Sequence, residues 1–248
     1  MSDWGHVLAA LFERKYATGA QVDPLPLDIV GAFLRLGKKY EITTLYEDAV
    51  GRLAYEIPSS FADRSRCNPG ERTRIQIKSL ADYFVIVSLA REHDLFSILP
   101  CALYCCVHHC VQGGDWEVMR TFLRGAARDD GSVVELSYAD KEVCLLGWEK
   151  IIKLQGGLYQ WVNTETVSFR CTSPDACATA RALHRPSGSN PIQSCDLFSP
   201  WKASWAKELC KVCAKTGEKS YARASLDAWN ELPLAFELQS WKVLLNQD

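Results

Sequence analysis

Residues 24–57 read PLPLDIVGAFLRLGKKYEITTLYEDAVGRLAYEI, and the spacing of the apolar residues in this stretch decides the fold class. Ile29, Val30, Phe33, Leu34 and Leu36, then Tyr40, recur at helical intervals and give the segment one apolar face. Pro24 and Pro26 suit the first turn of a helix, where the missing N–H costs nothing. Gly37 and Lys38–Lys39 loosen its end. Thr44 with Glu47 has the form of a capping box, which would start a second helix carrying Leu45, Ala49, Val50 and Leu53. Pro58 stops that helix. The stretch therefore predicts two short helices in a tight hairpin, each with a face that must be covered, and no side chain suited to catalysis.

Helical spacing dominates the rest of the chain. Residues 4–16 predict a short helix whose buried face is Val7, Leu8, Leu11, Phe12 and Tyr16. Residues 59–74, SSFADRSRCNPGERTR, are polar and contain the Asn68-Pro69-Gly70 turn, so 58–77 reads as a linker with Cys67 alone in it. Further helices are expected over 79–93, 97–111, around Val118–Leu123, and from Ser137 (capped with Asp140) to Val162. Gly113-Gly114 would end the second of these, and Asp115 would cap the third. Between Thr164 and Pro200 the pattern breaks down except for a turn around Ala176–Leu183, and it resumes at Trp201. Strand signals are confined to Ile75–Ile77 and Thr166–Phe169. The fold class is all-α, divided as 1–57, a linker 58–77, and a helical domain 78–248.

Composition narrows the function. A charged fraction of 23% and a formal net charge of −2 leave no basic footprint, so no nucleic-acid partner is expected. No apolar run approaches the ~20 residues of a membrane helix. The N-terminus lacks the form of a signal peptide, and eleven cysteines then argue for reduced thiols in the nucleus or cytoplasm.

Among those cysteines one constellation stands out. Cys171 and Cys177 flank five residues of a turn-rich segment, and Cys210 and Cys213 form a C-x-x-C. Two close thiolate pairs suit a tetrahedral structural zinc site, with Cys195 and His184 as substitutes for one ligand. Buried unliganded thiols and disulfides are the alternatives. The segment between the pairs is poor in core-forming residues, so a metal crosslink would help to hold it. A second cluster, Cys101, Cys105, Cys106, His108, His109 and Cys110, lies in a run that is apolar nearly all round and reads as core, as does Cys144.

Motifs for catalysis are missing: there is no phosphate-cradling glycine loop after a strand, no G-x-S-x-G and no H-E-x-x-H. The chain is expected to be non-enzymatic. A thiol enzyme built on Cys210-x-x-Cys213 would need a depressed thiol pKa.

The run from Pro24 to Leu53 resembles the last two helices of the BTB/POZ fold, as found in a large family of fungal, mostly mushroom-type, proteins. The resemblance extends through Ala81-Asp82, Val87-x-Leu89-Ala90-Arg91, Leu99-Pro100, Tyr104-x-Cys106, Asp130-Gly131, Leu136-Ser137 and Cys144. It takes in both cysteine pairs and ends at Trp229-x-x-Leu232-Pro233-x-x-Phe236 with Trp241. It implies the C-terminal helices of a BTB/POZ domain followed by a BACK-like helical region, acting as a protein–protein adaptor or scaffold. Expected partners are a second copy or a cullin-type ligase; a zinc-stabilised transcription-associated or nucleic-acid-binding module is the alternative. The strand-rich half of such a domain has no counterpart before Trp4. Ile29, Phe33, Leu34 and Leu45 are therefore expected to form an uncovered, partner-binding face.

Overall fold

The hairpin forms as α2 (Leu27–Lys39) and α3 (Thr43–Glu56), joined by a tight turn in which the Ile42 N–H donates to the Gly37 carbonyl at 2.9 Å. Glycine at 37 is required by proximity: a Cβ there would lie 3.0 Å from the Tyr46 nitrogen and Cβ. The expected capping box does not form. α3 begins at Thr43 with Ile42 as its cap, so Thr44 already lies inside the first turn, and no side chain bonds the cap.

The computed structural model describes residues 2–13, 16, 24–68, 72–111, 116–163, 168–184 and 195–247. The expected helix end at Gly113-Gly114, the Asp115 cap, most of the Asn68–Gly70 turn and half of the Thr166–Phe169 strand lie outside them. Among the described residues the fold is all-α apart from two small strand pairs. None of its helices is long and apolar enough to cross a membrane.

The hairpin is covered by its own chain. α1 (Asp3–Glu13) packs on α2, β1 (Leu25–Pro26) pairs in parallel with β2 (Ile75–Gln76), and α4 (Leu80–Glu92) closes a further side. Ile29 and Leu45 retain only 4% and 5% of their exposure, and Phe33 and Leu34 none. The expected partner-binding face at Ile29, Phe33, Leu34 and Leu45 is therefore corrected: these side chains are core, each contributing about 1.5–3 kcal/mol by leaving water. A second correction concerns α1. Its inner face is the small set Val7, Ala9 and Ala10, whereas Trp4, Leu8, Leu11 and Phe12 point outward. Small residues let the α1 backbone approach α2, and an Arg35–Asp3 ion pair at 2.9 Å ties the two together.

Segment 58–77 is a structural joint, not a linker. It holds a 3-10 helix (Phe61–Cys67), started by Ser60 accepting from the Ala62 N–H, and then β2. The buried Glu56 carboxylate accepts from the backbone N–H of Thr73 (2.8 Å) and Arg74 (2.5 Å) and pairs with Arg72 at 3.7 Å. Arg72 also donates to the Arg66 carbonyl and the Tyr83 hydroxyl. Asn68 donates to Asp196 and Ser199, and Arg64 donates to Ser225. A buried charge survives only with such partners. Both proposed domains feed one hydrophobic core running from Val7 to Trp241.

The remaining helices assemble around α5 (Leu99–Val111), which is buried nearly all round. α6 (Trp116–Arg124) precedes an antiparallel pair, β3 (Ala126–Ala127) with β4 (Val133–Val134). α7 (Tyr138–Leu158) starts as its sequence indicates, Ser137 accepting from the Asp140 N–H. α8 (Gln160–Asn163), α9 (Pro174–Leu183) and α10 (Ala203–Ala206) are short, and they lead to α11 (Lys211–Ala235) and α12 (Trp241–Leu244).

Candidate metal centre

The four cysteines singled out in the sequence converge where α9 and α11 begin. Ser168 accepts from the Cys171 N–H, turning the chain into α9, whose first position is Pro174. Cys177 then falls one turn into α9. Cys210 is the N-cap of α11, its sulfur accepting from the Cys213 N–H at 3.5 Å. The Cys210 N–H in turn donates to the Cys177 sulfur at 3.2 Å, lacing the two helices together.

All four sulfurs lie within 4.8 Å of one another, and those of Cys171 and Cys210 are 3.8 Å apart. A tetrahedron of ~2.3 Å zinc–sulfur bonds also sets its sulfurs about 3.8 Å apart. Cys177 and Cys213 are buried, while Cys171 and Cys210 are half-exposed. The site is thus closed on the core side and open to an entering ion on the other.

Electrostatics separates Cys210 from Cys177 and Cys213. The N–H groups of Cys213 and then Thr172 hold the Cys210 thiol down to about 5, as a helix N-terminus favours negative charge. Burial drives Cys213 up to about 12 and also raises Cys177. The Cys210 sulfur is ready as thiolate, while Cys177 and Cys213 need a cation to ionise them. A bound divalent ion supplies that charge.

The suggested substitutes lie apart from this quartet. Cys195 is buried, its carbonyl accepting from the Tyr104 hydroxyl at 2.7 Å. His184 stacks toward Trp161, with ring centroids 6.2 Å apart. The second cysteine cluster is core: burial pushes Cys105 and Cys110 up to about 12 and raises Cys106 well above its ordinary value. One pair breaks the expectation of uniformly reduced thiols, since Cys67 and Cys101 are joined by a disulfide between the 3-10 helix and α5. Their 34-residue separation offers no spacing signal in the sequence.

A second polar recess of about 150 Å³ lies at the start of α2 and α4. Its charges are mutually engaged, Arg128 with Asp28 at 2.7 Å and Lys78 with Asp129 at 3.1 Å. No protein-family model, no curated protein and no solved structure matches the chain.

Proposed function

We propose that this chain is a non-enzymatic protein–protein interaction module of BTB/POZ type, whose thin C-terminal corner is held by structural zinc. The observation that carries the interaction reading is the row Trp4, Leu8, Leu11 and Phe12 along α1, exposed between 45% and 80%. Large apolar side chains aligned on one helix face mark a place where another polypeptide sits. The zinc is supported by the convergence of Cys171, Cys177, Cys210 and Cys213. Around that corner α9 buries only Cys177, Ala180 and Arg181 and no large apolar side chain, so a crosslink adds order that apolar burial does not provide.

A photo-reactive residue in place of Phe12, activated in cells, tests the interaction. Adducts to another polypeptide chain are expected, and a chain that forms none overturns the reading. Metal analysis tests the corner. One zinc per chain, lost in Cys213→Ser, is expected, whereas folded metal-free protein removes the zinc.

The alternative is a zinc-stabilised nucleic-acid module, supported by Lys211, Lys215 and Lys219, exposed on one face of α11 beside the thiols. DNA binding that weakens steeply with salt would establish it.

A further inference from the structure

The four sulfurs of the cysteine corner differ in what holds them and in what can reach them. Cys177 lies within α9 and Cys213 within α11, and both are buried. Cys171 precedes α9 on non-helical chain, and Cys210 is the N-cap of α11. These two are half-exposed, and their sulfurs stand 3.8 Å apart. The site therefore presents one adjacent pair to solvent and keeps the other pair behind it.

A small oxidant meets that outer pair first, because attack on a thiol requires access to its sulfur. Closing 3.8 Å to the ~2.05 Å of a disulfide takes about 1.8 Å of movement. The non-helical chain at Cys171 can yield that much. Cys213, which C-x-x-C spacing also offers to Cys210, belongs to the buried core and is more tightly held by its packing.

The chemistry balances as a two-electron step with a hydroperoxide as oxidant. One thiolate of the pair attacks a peroxide oxygen, the O–O bond breaks, and the sulfur becomes a sulfenic acid as alkoxide or hydroxide leaves. The second thiolate attacks that sulfur and displaces hydroxide, forming the S–S bond. Two solvent protons convert the departing oxygens to water or alcohol, so the sulfurs lose the two electrons that the peroxide gains. Oxidation leaves Cys177 and Cys213 as the only ligands, too few for a structural zinc, and both take up protons. α9 buries only Cys177, Ala180 and Arg181, so it loses its anchor. The new link meanwhile keeps the chain before α9 tethered to α11, from which reduction can rebuild the site.

We propose that Cys171 and Cys210 are a peroxide-oxidised pair whose disulfide discharges the zinc and frees α9 reversibly. The inference rests on the zinc reading above and adds its regulation. Full-length protein, purified without oxygen or reductant and metal-analysed, is treated with a single equivalent of hydrogen peroxide beside a chromogenic zinc chelator. Release of the zinc is expected, with the nine alkylatable cysteines falling by two and peptide mapping joining Cys171 to Cys210. Hydrogen exchange in α9 should accelerate at least about tenfold, and brief dithiothreitol with added zinc should restore the metal. Zinc retained with all nine thiols intact overturns the inference, as does a first link between Cys210 and Cys213. A chain purified without zinc separates the two readings. If it still forms the Cys171–Cys210 link, the zinc falls and the oxidation site stands; if it forms none, both fall.

Discussion

The amino-terminal hairpin and the cysteine corner are held in opposite ways. In α2 every large apolar side chain is buried, as are Leu45 and Leu53 of α3, and Phe33, Leu34 and Leu53 have no exposure at all. Around α9 and α10 the chain leaves Phe169 91% and Leu183 69% exposed and brings four sulfurs together instead. The hairpin itself contains no cysteine and no crosslink, whereas the corner, where the core thins, gathers thiols. The hairpin should therefore unfold only with the whole molecule, while the corner should open by itself.

The sharpest way to break this contrast is Phe33→Ala. Removing a fully buried ring should cost about 3–5 kcal/mol, read as a lower denaturant midpoint with unchanged slope. A smaller effect is expected for Glu56→Gln, which weakens the acceptor for the Thr73 and Arg74 N–H groups and for Arg72: about 2–3 kcal/mol by the same measurement. Metal chelation should act locally. Hydrogen exchange in α9 should accelerate at least about tenfold, equivalent to about 1.4 kcal/mol of opening, with α2 and α3 unaffected; equal acceleration in both regions would erase the distinction.

Acid should weaken the core side of the comparison. Burial holds His108 below its ordinary 6.5, against the opposing hydrogen bond to the Cys195 carbonyl. As pH falls through 6.5 the unfolded chain takes up a proton that the folded chain refuses, so the stability present above 6.5 declines below it. The expected slope is up to about 1.4 kcal/mol per pH unit, and His108→Phe should flatten it. The smallest effect is chemical: alkylation of the metal-stripped, denatured and unreduced chain should modify nine cysteines and spare Cys67 and Cys101.

Much of this was legible in the residues. Helical spacing marked α2, α3, α4, α5 and α7, Ser137 marked its cap, and ligand chemistry picked out the four converging cysteines. What covered the hairpin was not legible, because it depends on pairings that leave no local pattern: Leu25 with Ile75, Glu56 with Arg72, and Cys67 with Cys101. The orientation of α1 was misread for a related reason. Both of its faces are apolar, and periodicity alone could not show that the small residues, Val7, Ala9 and Ala10, would turn inward.

On α11, Gly217 lies one turn beyond Cys213 on the same face, and a Cβ there would strike Trp161 and Trp201 at 3.1 Å. Those indoles, with Trp205 and Tyr221, form a contiguous block beside the thiols, with ring centroids 4.8–5.8 Å apart. The molecule thus carries its own optical gauge. Loosening of the sulfur-laced corner should register as a red shift in tryptophan emission, without any dye or label.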